Sequence, residues 1–164
     1  MVRSHSAKRS VDLDEFDLAI LDIVQRDRET PLRVIAERVN RSTAAVQRRL
    51  RRLEEVGVIT AHVALVDSTL VGKPITVIVE VHIDRVQLDL LNEIKRRFSG
   101  PEVQQCYYVA GEADFVLILS VATMEEYNCV VHRLFYTSED VKWFRSTVVM
   151  DRVKVGLTIP LATE

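Results

Sequence analysis

From Leu13 to Leu53 the apolar residues recur at intervals of three and four, whereas from Ile75 to Ile83 they alternate with other side chains. The first rhythm is that of amphipathic helices and the second that of a strand, so the chain divides into an all-helical part and a mixed part. In the first part, LDEFDLAILDIVQRD predicts a helix with Asp14 as N-cap, Asp17 three residues on, and Leu18, Leu21 and Val24 on one face. A second helix is expected after Thr30-Pro31, threonine capping and proline at the first helical position, with Ile35, Ala36 and Val39 inward. It should stop at Asn40, which tolerates the left-handed conformation, and Ser42 should cap a third helix ending near Gly57. Two short helices joined by so few residues form a helix-turn-helix.

ITAHVALVD then alternates at Ile59, Ala61, Val63 and Leu65, which predicts a short connecting strand, and Gly72 and Pro74 in STLVGKP mark a domain boundary. The second part reads as strand (75–83), helix (around Leu91, Ile94 and Phe98), and two strands, VQQCYYVAG and DFVLILSVA, joined by a tight turn at Glu112-Ala113. A helix, MEEYNCVVHRLFY, and a strand, VKWFRSTVVM, complete it, and VKVGLTIPL is a candidate fifth strand. The order βαββαβ is the ferredoxin-like arrangement, an antiparallel sheet with both helices on one face. The fold class is α+β, with boundaries at 1–10 (flexible basic N-terminus), 11–60 (helix-turn-helix), 61–73 (connecting strand and linker) and 74–164 (ferredoxin-like domain). Phe115, Leu117 and Leu119 alternate with Val116 and Ile118, and Trp143 and Val149 with Phe144 and Val148, so the sheet is apolar on both faces. Two helices cover one face; sheet-to-sheet homodimerisation is the simplest cover for the other.

Composition changes this picture little. Of 164 residues 48% are hydrophobic and 28% charged, a globular balance, and no stretch approaches the length of a membrane helix, so a soluble protein of the cytoplasm is expected. Cys106 and Cys129 are too few and too far apart for a zinc knuckle or a disulfide framework. His5, His62, His82 and His132 share no ligand spacing, and no GxSxG, HExxH or phosphate-loop motif occurs, so no metal, cofactor or catalytic residue is expected. Charge matters more in its distribution: residues 1–60 hold 12 Lys+Arg and 10 Asp+Glu, residues 61–164 hold 10 and 14.

The basic charge peaks in RSTAAVQRRLRR, where five arginines occur without an acid between Arg41 and Arg52. At 100° per residue, Val46, Leu50 and Leu53 form the buried stripe, Ala44, Arg48 and Arg51 lie opposite, Gln47 and Arg52 lie at the edges, and Arg49 leans on the core. A helix beginning Ser42, Thr43, Ala44 is small enough at its N-terminal end to enter the major groove of double-stranded DNA. Arginine pairs in a planar fork with guanine or with phosphate, and Gln47 has the donor and acceptor to read adenine. The alternative is a solvated face paired with Glu54 and Glu55. Arg41, in the turn, is either a phosphate contact or unexplained.

The hairpin VAGEADF offers a glycine that lets a ligand approach the backbone and, in Asp114, a carboxylate suited to an ammonium group, although both residue types are common in turns for local reasons.

A basic helix-turn-helix closing in RRLEEVGVI, a connecting strand, and a βαββαβ domain whose hairpin reads YYVAGEADFVL together resemble the Lrp/AsnC (feast/famine) transcription regulators of bacteria and archaea, over residues 11–161. Val109, Gly111 and Asp114 carry the hairpin's V-x-G-x-x-D pattern. The resemblance implies a nucleoid-associated DNA-binding regulator, dimeric through its C-terminal sheets and assembling to tetramers or octamers. It also implies an amino-acid effector at Tyr108, Val109, Ala110, Gly111, Glu112 and Asp114, in a cleft between dimers. Arg41 and Ala113 depart from the family pattern, which usually has an apolar and a bulky residue there. Two rivals share the architecture: a sirohaem decarboxylase, which has no need of the basic helix, and an architectural DNA-compacting protein without an effector.

Overall fold

The computed structural model describes residues 11–84 and 88–161, the side chains of Leu88 and Asp89 excepted. The chain forms two compact units: one runs to Ala64 and takes in the segment from Val155, and the other spans Leu65–Lys154.

The first unit contains α1 (Glu15–Val24), α2 (Leu32–Arg38) and α3 (Thr43–Glu55). Asp14 caps α1 in a reciprocal box: its carboxylate accepts from the Asp17 N–H at 2.8 Å, while the Asp17 carboxylate accepts from the Asp14 N–H. The buried side of α1 is Ile20, Leu21 and Val24, together with Asp17; Leu18, expected inward, is only partly buried. Ile20, Val24, Ile35, Ala36, Val39, Val46 and Leu50 close one apolar core.

Thr30 does not cap α2. Its hydroxyl donates to the Asp27 carbonyl at 2.9 Å and lies 3.2 Å from the Asp27 carboxylate, and Pro31 occupies the N-cap position with no side-chain cap. The turn into α3 follows expectation. Asn40 sits at φ 50°, its N–H donates to the Glu37 carbonyl, and the Arg41 N–H donates to the Ala36 carbonyl at 2.9 Å, the paired bonds of a Schellman motif. Ser42 Oγ then accepts from the Ala45 N–H and starts α3. Gly57, at φ 75°, closes α3 in the same way: its N–H donates to the Glu54 carbonyl and the Val58 N–H to the Leu53 carbonyl.

The expected connecting strand does not form: residues 60–67 are exposed and carry no strand, because no other segment of the described chain offers its backbone a partner. The candidate fifth strand is likewise absent. The segment from Val155 is instead tied to α1, where the Gln25 amide donates to the Ile159 carbonyl at 2.9 Å and accepts from its N–H at 3.0 Å.

The second unit has β1 (Ile75–Ile83), α4 (Leu88–Arg97), β2 (Val103–Tyr108), β3 (Phe115–Val121), α5 (Met124–Val131) and β4 (Val141–Val148). The sheet is antiparallel in the order β2-β3-β1-β4, as a βαββαβ chain requires. After Val131 the last helix widens into one π turn, His132–Tyr136, which places Phe135 against Phe144 at 4.8 Å between ring centres. Both helices lie on one face of the sheet, where Leu91, Ile94, Phe98, Tyr127, Val130 and Leu134 meet Val77, Val79, Val81, Phe115, Leu117 and Leu119. The opposite face carries Ile78, Val116, Ile118, Tyr107 and Trp143, all partly or largely exposed, around a Glu80–Arg145 ion pair of 2.7 Å.

The β2–β3 connection is longer than the tight turn expected at Glu112-Ala113. It spans six residues from Val109 to Asp114, closed by the Val109 N–H donating to the Asp114 carbonyl at 2.8 Å. The cause is Ala113, which is buried and so cannot occupy the tip of a turn.

Candidate nucleic-acid interface and effector loop

The unit carrying α3 presents that helix as the periodicity predicts: Val46, Leu50 and Leu53 are buried, and Ser42, Thr43, Ala44, Gln47, Arg48 and Arg51 are exposed. The five arginines, however, differ sharply in their surroundings. Arg49 donates to both Asp14 and Asp17, at 2.8 and 2.7 Å. Its guanidinium pKa is held above the usual arginine value, first by the hydrogen bond to Asp17. The Asp14 carboxyl is held below the carboxylate range, first by the Asp17 N–H and then, against a small desolvation penalty, by Arg49.

Arg52, at the edge of the DNA-facing side, is engaged within the chain. One of its nitrogens donates to Asp17 at 2.9 Å and another to the Asp12 carbonyl at 2.9 Å. Arg41, a phosphate contact or unexplained on the sequence alone, lies over the Phe16 ring, 3.7 Å from its centre, a cation–π contact at close range. Among the described residues no ion pair reaches Arg48 or Arg51, and the alternative of pairing with Glu54 fails on geometry. Glu54 is engaged by His62 at 3.0 Å and approached by Arg28 at 3.8 Å. With Asp12, Asp14, Asp17, Arg49 and Arg52, Arg48 lines an open hollow of about 390 Å³ beside α1.

Phe16 and Asp17 are thus the functional neighbours that sequence reasoning missed. Asp17 was legible only as a capping residue; that the same carboxylate lies 1% exposed beneath two arginines of α3 depends on how the helices pack.

In the other unit the effector residues predicted from the sequence come together in the β2–β3 loop. The N–H groups of Ala110, Gly111 and Glu112 have no hydrogen-bond partner among the described residues. Gly111 has open space where a Cβ would stand, and Glu112 is 81% exposed. Asp114 does not point freely into this loop. Its carboxylate accepts from the Ile83 N–H at 2.9 Å, and His82 Nδ1 lies 2.8 Å away, off the line of a hydrogen bond. His82 in turn stacks on Trp143. The half-buried Tyr108 packs on Phe115 and receives Lys95 5.1 Å from its ring centre.

Neither cysteine has the surroundings of a nucleophile: burial pushes the Cys106 thiol up to about 11, and Cys129 is simply exposed. No cluster of metal-ligating side chains occurs among the described residues, and no described helix is long and apolar enough to cross a membrane.

Comparison with known proteins decides the lineage. A family model for the Lrp/AsnC ligand binding domain matches residues 76–159, and one for a winged helix-turn-helix DNA-binding domain matches residues 13–60. The chain belongs to the Lrp/AsnC family. It is 40% identical, over 93% of its length and 90% of the relative's, to an uncharacterised HTH-type transcriptional regulator of Sinorhizobium fredii. It is 31% identical, over 93% of both chains, to the leucine-responsive regulatory protein of Haemophilus influenzae. The structure of an AsnC family transcriptional regulator from Agrobacterium tumefaciens superposes with a TM-score of 0.85 at 29% identity, covering 91% of this chain and 97% of that one. A Neisseria meningitidis transcriptional regulator solved as an L-Met complex gives 0.83 at 25% identity, covering 92% and 97%. This Lrp/AsnC protein is a transcriptional regulator with a DNA-binding and a ligand-binding domain, as the resemblance implied, and the names of its relatives favour that over the decarboxylase rival.

Proposed function

We propose that this Lrp/AsnC regulator reads an operator with the N-terminal half of α3 and changes its DNA affinity or assembly when an amino acid occupies the β2–β3 loop. The observation that carries the first half is the exposed state of Arg48 and Arg51, unpaired among the described residues, beside Ala44 and Gln47 and opposite the buried stripe of α3. Small residues at the start of the helix admit it to the major groove, Gln47 and Arg48 address base edges, and Arg51 addresses a base or phosphate. Ser42, Thr43 and Arg41 lie at the end of α3 nearest the backbone of the duplex.

The effector reading rests on the N–H groups of Ala110, Gly111 and Glu112, unpartnered among the described residues, which suit a carboxylate, and on the exposed Glu112 carboxylate, which suits an ammonium group and has Arg145 as a neighbour at 4.0 Å. The Neisseria relative's L-Met complex makes methionine the first amino acid to try. Asp114 then shapes the loop from beneath. The exposed sheet face carrying Ile78, Ile118 and Trp143 supports a homodimer, with tetramers or octamers as higher assemblies, and the site of action is the nucleoid.

Fluorescence anisotropy with fragments recovered by genome-wide mapping of bound sites tests the DNA half. Arg48→Ala and Arg51→Ala should each weaken binding and flatten its salt dependence, and unchanged affinity and slope would exclude α3 as the reading helix. Calorimetric titration with the twenty amino acids tests the effector half; absence of binding by any of them would exclude it.

A further inference from the structure

The five arginines between Arg41 and Arg52 are not equally available to DNA, and what divides them is the first turn of α1. Asp17, 1% exposed, accepts from Arg49 at 2.7 Å and Arg52 at 2.9 Å; Asp14 adds a second bond to Arg49, the Asp12 carbonyl a second bond to Arg52. Arg41 is stacked on Phe16, from the same turn. Arg48 and Arg51 have no such partner among the described residues.

From this geometry we infer that α1 sets the DNA-directed charge of α3: Asp14 and Asp17 are positioning residues that withhold Arg49 and Arg52 from phosphate, leaving Arg48 and Arg51 as its free cations. The inference rests on α3 being the reading helix. Its physical basis is competition for one guanidinium. An arginine that already has two charge-assisted acceptors exchanges them for a phosphate with little gain, and leaving would take from the buried Asp17 carboxylate one of its two cations. A solvated arginine displaces only water and condensed counterions, so it is the one that contributes to the salt dependence.

Acids set beside a DNA-binding helix look counterproductive, since they lower its net charge. Their consequence is selectivity. Phosphate attraction supplies non-specific affinity at every site in a genome, and a helix with all its arginines free would bind indiscriminately. Withholding two of them reduces that background while Gln47 and Arg48 retain the base contacts.

The test compares salt slopes for the full-length chain on operator and on unrelated DNA, where each phosphate contact contributes about 0.9 to the slope of log K against log salt. Arg51→Ala, at phosphate, should flatten the slope by about 0.9 per bound protomer, whereas Arg52→Ala should leave it unchanged. Asp17→Asn, close to isosteric but neutral, should steepen it by up to about 0.9, roughly 3.5-fold in affinity between 50 and 200 mM salt, with the larger effect on specificity seen on unrelated DNA. Adding Arg52→Ala to Asp17→Asn should cancel that gain. A purely structural role for Asp17 would lower affinity at every salt concentration without steepening the slope, because a partly unfolded chain binds less.

Because Asp17→Asn removes a buried charge and can impair folding, Arg52→Ala decides the matter without it. A slope flattened as much by Arg52→Ala as by Arg51→Ala overturns the inference, as does a folded Asp17→Asn chain whose slope is unchanged. If Arg48→Ala and Arg51→Ala themselves leave binding unaltered, α3 is not the reading helix and that earlier reading is what fails.

Discussion

Asn40 offers the cleanest test of how the helix-turn-helix is held. It is the one described non-glycine residue with positive φ, at 50°, and its exposed side chain makes no hydrogen bond among the described residues, so only backbone geometry is at stake. The left-handed conformation costs an ordinary L-residue roughly 1–2 kcal/mol, less for asparagine and nothing for glycine. Asn40→Val should therefore destabilise the unit by about 1–2 kcal/mol, since a β-branched side chain is least tolerated there. Asn40→Gly removes the steric cost but adds chain entropy to the unfolded state, opposing effects of about 0.5–1 kcal/mol each, and should be near neutral. The two bonds of the motif, Asn40 N–H to Glu37 and Arg41 N–H to Ala36, should exchange sooner in the valine variant. Because the chain has two units that need not unfold together, the appropriate assay is native-state hydrogen exchange resolved to α2 and α3 rather than a single melting curve. Equal loss for glycine and valine would refute the reasoning, since it would locate the effect in the asparagine side chain. So would a valine variant within about 0.3 kcal/mol of the parent, a difference ordinary for surface substitutions.

Other outcomes follow from individual contacts. The Asp14 carboxyl is depressed by the Asp17 N–H and Arg49, so its contribution is present above its unfolded pKa near 3.9 and disappears as pH falls through the lower folded value; Asp14→Ala should flatten the acid limb of stability below about pH 4, measured by hydrogen exchange of α1. Asp114→Ala leaves the Ile83 N–H without its acceptor and should cost about 1–3 kcal/mol in the ferredoxin-like unit, read as faster exchange at Ile83; unchanged protection there would show that water replaces the carboxylate. Phe98, 0% exposed and edge-on to Phe115 and Phe135, should cost about 3–5 kcal/mol when replaced by alanine, by urea unfolding monitored in the β-sheet; a loss under 1 kcal/mol would mean that the core collapses around the gap.

Features whose causes are local were legible in the sequence. The Asp14 cap, the left-handed Asn40, the Ser42 cap and the Gly57 stop all act within a few residues of their own backbone, and each is where the residue type predicted it. Thr30 shows the limit even at short range: its hydroxyl turns back to Asp27 while Pro31 takes the N-cap position, an outcome that no helix-propensity rule ranks. The antiparallel sheet with both helices on one face was readable because βαββαβ with short connections leaves few other arrangements. The connecting strand and the fifth strand were not, because alternation reports a side-chain pattern whereas a strand also needs a neighbouring backbone.

By itself, then, the sequence determined which residues of α3 are buried, that its outer face is basic, and that a glycine-containing loop joins two sheet strands. Only the tertiary structure decided which arginines are free. Arg49, Arg51 and Arg52 are the same residue type within one turn of helix, and what separates them is a carboxylate more than thirty positions away, buried where α1 meets α3. Charge is a property of composition, but its availability depends on which partners the fold brings within about 3 Å, and a linear pattern does not contain that distance.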